Sequence, residues 1–207
     1  MKRLAVILKI WVLSFAACAA VAALCFKRLD VPVARHVWGA ARHLSSLSTA
    51  FGAAVILTLE AVVVLVLVFA RLTRGHLSRF GEALGVACLA SICAYGINDQ
   101  VLKPLFGVPG PLQVIQGARH GFNLAMGSAG CSFPSGHMVL AGAFAGAFMR
   151  LYPVSIRALS GLLLVAAALL VVGDWHFISD VIMGTFIGVS AGILAGEGWL
   201  VHSSLRP

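Results

Sequence analysis

One short polar segment of the chain, Pro134-Ser135-Gly136-His137, stands directly before an apolar run. Where a loop opens a helix, backbone N–H groups lack partners and the helix dipole is positive, so such a junction can bind an anion. Gly136 lets a ligand come close to the backbone, and Ser135 adds a hydroxyl donor. His137 follows at a position from which it could give a proton to a leaving oxygen. The segment predicts an anion site with an acid beside it.

A second pair of residues, His176 and Asp180, is separated by four positions, which places both on one face of a helical start. Asp180 can then accept a hydrogen bond from one ring nitrogen and fix the tautomer, which leaves the other nitrogen free to attack. Lys103 would supply a point charge for phosphate oxygens. Each feature also has an ordinary structural explanation, since interfacial histidines, loop-to-helix junctions and lysines that extend from helix ends are common in membrane proteins.

The elements that must position these residues are strongly apolar. The chain has 207 residues, of which 60% are hydrophobic and 11% charged, whereas a soluble domain carries about 25% charged residues. We predict an all-α membrane protein with one domain, residues 1–207, and a bundle of six helices, since a bilayer is crossed by about 20 apolar residues. The predicted spans are 5–26, 50–70, 81–98, 137–151, 157–174 and 179–200.

The basic residues lie at the ends of these runs and form no single patch, so the net charge of +8 does not predict nucleic-acid binding. One side would hold Lys2, Arg3, Arg71, Arg74, Arg79, Arg150, Arg157 and Arg206, and the other Lys27, Arg28, Arg35, Arg42, Lys103 and Arg119. This bias predicts cytoplasmic termini in a bacterial inner (plasma) membrane, with loops 27–49, 99–136 and 174–179 on the periplasmic side. The first span could instead be a signal peptide, which would leave the rest of the topology unchanged.

Small residues recur every four positions in two of the runs. Gly184, Gly188, Gly192 and Gly196 share one helical face, as do Gly142 and Gly146. In lipid this spacing lets helices approach closely, so it predicts packing within the chain, with a homo-oligomer as the alternative. Glu60, in the middle of the second span, should face the protein interior. The five cysteines show no metal-ligand spacing with histidine, and no metal or cofactor is predicted.

Three polar clusters resemble the signature motifs of the type-2 phosphatidic acid phosphatase (PAP2) and vanadium haloperoxidase superfamily. In that family the motifs are Lys-x6-Arg-Pro, Pro-Ser-Gly-His and Ser-Arg-x5-His-x3-Asp. Here the matching segments are Lys103 to Pro111, Pro134 to His137, and His176 to Asp180. The resemblance covers residues 103–180, and the six predicted spans resemble the layout of the membrane members.

The resemblance implies a metal-independent phosphatase that acts on a lipid phosphate. His176 would be the nucleophile that forms a phosphohistidine, Asp180 its orienting partner and His137 the general acid. The phosphoryl oxygens would be held by Lys103, Ser135 and the Gly136 N–H. Substrates of membrane members are lipid phosphates or pyrophosphates, such as phosphatidic acid, phosphatidylglycerol phosphate, undecaprenyl pyrophosphate or lipid A.

The sequence departs from the family pattern at both arginines. Gly110 stands where the first motif has Arg, and Leu169 and Leu170 stand where the third has Ser-Arg. A guanidinium aimed at transition-state charge contributes on the order of several kcal/mol, so its loss puts the rate in doubt. Arg119, in the same outer loop, is the predicted replacement, and His120 and Asp174 are further candidates. The missing arginines keep a second function open, namely a PAP2-like protein that binds or helps transport a lipid without hydrolysing it.

Overall fold

The computed structural model describes residues 2–41, 49–124, 127 and 130–204, and these ranges are helical with connecting turns. Arg42 and Arg206, which entered the charge comparison, lie outside them. The helices are α1 (Lys2–Arg28), α2 (Asp30–Ala41), α3 (Thr49–Arg74), α4 (Arg79–Ile97), α5 (Lys103–Phe106), α6 (Pro111–Ile115), α7 (Gly136–Leu151), α8 (Ile156–Val172) and α9 (Ile178–Ser204). A π-helical turn, Asn98–Leu102, joins α4 to α5, and a 3₁₀ turn, Pro153–Ser155, precedes α8.

Five stretches are long and apolar enough to cross a membrane, which confirms an integral membrane protein. They are Val6–Arg28, Gly52–Arg74, Arg79–Phe106, Pro153–Val172 and Ile178–Ser204. The predicted fourth span is also a helix, α7, but its 16 residues are short for a bilayer crossing. The predicted count of six spans is therefore not confirmed. The third predicted span was too short, because helical structure continues through the π turn to Phe106 and includes Lys103.

Helix α7 is the centre of the bundle, which explains how a short helix is accommodated there. Most of its residues are buried, and it packs against α9 on one side and α4 on another. In contrast, the spans that contain α1 and α8 expose most of their apolar side chains, which is expected of lipid-facing helices. A helix enclosed by its neighbours needs no lipid-facing length of its own.

The glycine spacing is explained by the α7–α9 contact. A Cβ built on Gly188 would lie 2.5 Å from the Val139 carbonyl oxygen, and one on Gly146 would lie 2.5 Å from the Val189 carbonyl oxygen. The two backbones thus approach more closely than any side chain would allow, as small residues permit in lipid. The predicted packing within the chain is what the structure has, and the homo-oligomer stays a prediction.

The two ends of the bundle differ in chemistry. At one end, Arg150 of α7 forms a two-point ion pair with Glu197 of α9, with N–O distances of 2.6 and 3.0 Å. The Arg79 guanidinium lies 5.9 Å from the centre of the Tyr152 ring at the same end. The starts of α7 and α9 and the ends of α1 and α4 lie at the opposite end, which carries the residues singled out in the sequence. Glu60 is buried inside the bundle, as expected.

Candidate functional site

The start of α7 is built by Ser135 and Gly136. Ser135 is fully buried and is the N-cap of α7: its hydroxyl oxygen accepts a hydrogen bond from the Met138 N–H at 3.4 Å. Its own N–H donates to the Asp180 carbonyl oxygen at 3.1 Å, which joins the start of α7 to the start of α9. A Cβ on Gly136 would lie 3.0 Å from the Tyr95 ring and 3.6 Å from the Lys103 ammonium nitrogen. Glycine thus lets these two side chains lie against the helix start.

The two histidines face each other across this end of the bundle. Nδ1 of His137 lies 3.3 Å from Nε2 of His176, while Nδ1 of His176 lies 3.5 Å from an Asp180 carboxylate oxygen. That oxygen also accepts the Phe177 N–H at 2.8 Å. These distances fit one tautomer of His176, in which Nδ1 carries the proton toward Asp180, although 3.5 Å is too long for a hydrogen bond, and Nε2 has the lone pair. Nε2 of His176 then faces Nδ1 of His137.

A tight turn after α8 presents His176. The Leu170 carbonyl oxygen accepts hydrogen bonds from the N–H groups of Trp175 and His176, at 3.0 and 3.2 Å. Asp174, between them and the helix, has φ +55°, a conformation that Asp tolerates better than most residues. Asp174 is 3% exposed, and burial raises the pKa of its carboxyl group to about 6. The turn fixes the backbone of His176.

Lys103 reaches the site because of the π-helical turn. π turns are often found at functional sites, since they rotate the following residues relative to a regular helix. Asn98, fully buried at the start of this turn, donates from Nδ2 to the Pro134 carbonyl oxygen at 3.2 Å, which fixes α4 against the second motif. The Lys103 ammonium group pairs with Asp99 at 3.0 Å. Neither Asn98 nor Asp99 was predicted from the sequence to contribute to the site, although Asp99 and Lys103 stand four positions apart.

The geometry can be compared with known proteins at this point. A family model described as the PAP2 superfamily matches residues 83–198, which is more than half of the chain and includes all three motifs. The chain belongs to the PAP2 superfamily. Neither a curated protein nor a solved structure shows a significant similarity to it. Membership in the PAP2 superfamily suggests a phosphatase-type function. Two histidines and a carboxylate at the end of the bundle that carries the three motifs are consistent with such a function.

The two PAP2 arginine positions differ in what they would tolerate. Gly110 has an ordinary extended conformation, and a Cβ there would meet its nearest neighbours at 3.7 and 3.8 Å. A Cβ atom would therefore fit there without strain. Leu170 is buried in an apolar cluster with Val181 and Leu163, whereas Leu169 points outward and is 63% exposed. The clamp of the third motif is thus replaced by apolar packing.

Arg119, the predicted replacement, has an exposed side chain in the outer loop. The neighbouring His120 is partly buried, with its ring packed against those of Phe26 and Phe177. A role for Arg119 in phosphate binding stays a prediction.

A second layer of polar residues lies behind the histidines. Asp30, the first residue of α2, accepts hydrogen bonds from the Ser179 N–H at 3.1 Å and from the Ser179 hydroxyl. Nε2 of His120 lies 3.7 Å from the same carboxylate, with its ring between those of Phe26 and Phe177. Asp30 was not predicted from the sequence, because its partner Ser179 is 149 positions away and no local pattern indicates that contact.

Proposed function

We propose that this chain is a membrane phosphatase that hydrolyses a lipid phosphate monoester or pyrophosphate through a phosphohistidine. The observation that carries the proposal is the order of Asp180, His176 and His137, with neighbouring side-chain atoms 3.5 and 3.3 Å apart. The three side chains thus supply, each beside the next, an orienting carboxylate, a nucleophile and an acid, which is the arrangement that an activated nucleophile requires. A phosphoryl group that separates the two rings would have the nucleophile on one side and the acid on the other.

The reaction then has two balanced steps. Nε2 of His176 forms a bond to phosphorus while the bond from phosphorus to the leaving oxygen breaks, and His137 gives that oxygen its proton. In the second step His137 takes a proton from water, whose oxygen attacks phosphorus and releases His176 and inorganic phosphate. Lys103 and the Gly136 N–H, in the first turn of α7, would hold the phosphoryl oxygens. Transfer to another lipid acceptor in place of water is a variant of the same chemistry.

The position of the cluster supports a lipid substrate. The long apolar helices end at the level of these residues, so the phosphate group must arrive at the membrane interface. We propose that α7 crosses together with the five long spans, giving six. In this arrangement the site faces the periplasm, the termini lie in the cytoplasm, and the membrane is the bacterial inner membrane. A reporter fused within 99–124 should then respond as an outside marker, and a cytoplasmic response would reverse the orientation.

The direct test is phosphate release by the purified protein in detergent, without added metal, from a panel of lipid phosphates and pyrophosphates. His176→Ala should lower release by at least about 10³-fold, because it removes the nucleophile. His76→Ala makes the same change in an exposed loop at the far end of the bundle and should leave the rate unchanged. Unchanged release in a folded His176→Ala protein would refute the assignment.

A second function, lipid binding or transport without hydrolysis, is favoured by one observation: Gly110 and Leu170 occupy the two positions where the family pattern has arginine. It predicts that the protein binds a lipid phosphate in vesicles or detergent, that it releases no phosphate from any member of the panel, and that His176→Ala leaves binding intact.

A further inference from the structure

A buried carboxylate that belongs to none of the three motifs joins the start of α2 to the start of α9. Asp30 is 1% exposed, and its carboxylate accepts hydrogen bonds from the Ser179 N–H and hydroxyl, with the Ile178 N–H as a weaker donor. Burial raises the pKa of this carboxyl group to about 6, so keeping it ionised at neutral pH costs stability. Such a cost is usually offset by a specific task.

The position of Ser179 indicates the task. It stands in the first turn of α9, where backbone N–H groups have no partner within the helix, and it directly precedes Asp180. Asp30 accepts one of these N–H groups, and the Asp180 carboxylate accepts the Phe177 N–H from the other direction. The first turn of α9 is therefore held at two points, and the carboxylate beneath His176 is part of it.

We infer that Asp30 is a positioning residue: by holding Ser179 it fixes Asp180 beneath His176 and thereby orients the nucleophile. This inference rests on the proposed phosphatase function. The hydrogen bonds that Asp30 accepts come from the start of α9, so it acts through that helix. A misplacement of about 1 Å at a reacting group can cost about 100-fold in rate, so a loose first turn should lower kcat and leave KM nearly unchanged.

The hold depends on the ionised form of Asp30. When the carboxyl group takes up a proton, one of its oxygens becomes a donor, and it can no longer accept from the N–H and the hydroxyl together. The titratable groups that face it are Asp180 from α9, His120 from the outer loop and Cys25 from α1. Asp174 and His176 line a small cavity with it. Activity should therefore fall on the acid side as pH drops through about 6.

Asp30→Asn tests the inference, because it keeps the size of the side chain and removes the charge. We expect kcat to fall by about 10- to 100-fold, KM to stay within about twofold, and the acid-side fall near pH 6 to disappear. The matched control is Glu60→Gln, the same change at another buried carboxyl group, which lies in α3 and holds no part of α9, and it should leave kcat unchanged. Ser179→Ala removes one of the two hydrogen bonds and should give a smaller fall, so the test survives if Asp30→Asn does not fold.

Hydrogen exchange of the amides in residues 176–182, followed by mass spectrometry, gives a readout that does not depend on activity. It should speed up in Asp30→Asn and stay unchanged in Glu60→Gln. If the wild type releases no phosphate, the proposed function fails, and exchange alone decides whether Asp30 holds α9. Unchanged exchange and kcat in Asp30→Asn, or equal effects in both variants, would overturn the inference.

Discussion

The contact between α7 and α9 is close enough that a single methyl group should disrupt it. A Cβ built on Gly192 would lie 2.1 Å from the Ala143 carbonyl oxygen and 2.6 Å from the Ala147 nitrogen. Both are backbone atoms, which cannot rotate away as a side chain can. Gly192→Ala therefore requires the two helices to separate locally by about 1 Å, in an interior packed too densely to absorb it.

The size of the effect follows from two opposing terms. Overpacking of this kind costs about 1–3 kcal/mol, whereas alanine is favoured over glycine in a helix by about 0.5–1 kcal/mol. We expect a net destabilisation of about 1–2 kcal/mol. The separation of the helices should also change the geometry of the site, because α7 carries His137, α9 carries Asp180, and both helices are rigid. Activity should fall together with stability.

Gly198→Ala is the matched control, since it makes the same substitution on the same helix where a Cβ would meet nothing within 4 Å. It should leave the melting temperature unchanged or raise it slightly, because only the helix-propensity gain applies. Thermal unfolding of the three proteins in one detergent gives the comparison. If Gly192→Ala melted at or above the temperature of Gly198→Ala, the close α7–α9 packing would be refuted.

Two further predictions concern the departures from the family pattern and the buried acids. Gly110→Arg should raise phosphate release by about 10-fold or more, since a guanidinium near the phosphate stabilises developing charge and a Cβ atom fits at this position. The control is Gly121→Arg, which places the same side chain in open space of the same loop. Equal rates in the two variants would contradict the expected gain from an arginine at position 110. Asp174 has its pKa raised by burial from 3.8 to about 6, so folding favours its protonated form and wild-type stability should rise as pH falls from above 6 toward 4. Asp174→Asn should flatten this dependence and stabilise the protein at pH 8 by up to about 3 kcal/mol; an unchanged slope of melting temperature against pH would contradict it.

The main elements of the fold could be predicted from the sequence because lipid imposes a simple rule. Each apolar run must form a helix that crosses the membrane, so every second connecting loop, with its polar residues, lies at the same membrane face. This rule was enough to bring Lys103, His137 and His176 to the same end. It could not show that Lys103 still lies within a helix, because the π turn at Asn98–Leu102 has no hydropathy signal.

The residues that prediction missed are those whose partners are distant in the chain. The hydrogen bonds from Asn98 to Pro134 and from Ser179 to Asp30 depend on how helices pack, and no local pattern records that. Arg119 shows a different limit of sequence reasoning. Its place in the same outer loop as the motifs favoured it, but position in the sequence does not give the direction of a side chain, and that of Arg119 is exposed.

The distribution of buried polar atoms bears on the choice between hydrolysis and binding alone. Within the described ranges, buried side-chain atoms without a hydrogen-bond partner are found on Glu60 and, at the motif end of the bundle, on Asn98, His120, Asp174, His176 and Asp180. Each costs about 1–3 kcal/mol, so the cost is concentrated at the site. A protein that only bound a phosphate group would need the donors of Lys103 and the α7 start. It would gain nothing from a fully buried carboxylate beneath His176, since a negative charge there weakens the binding of an anion. Asp180 is costly for a binder and useful for a nucleophile, and its presence favours hydrolysis.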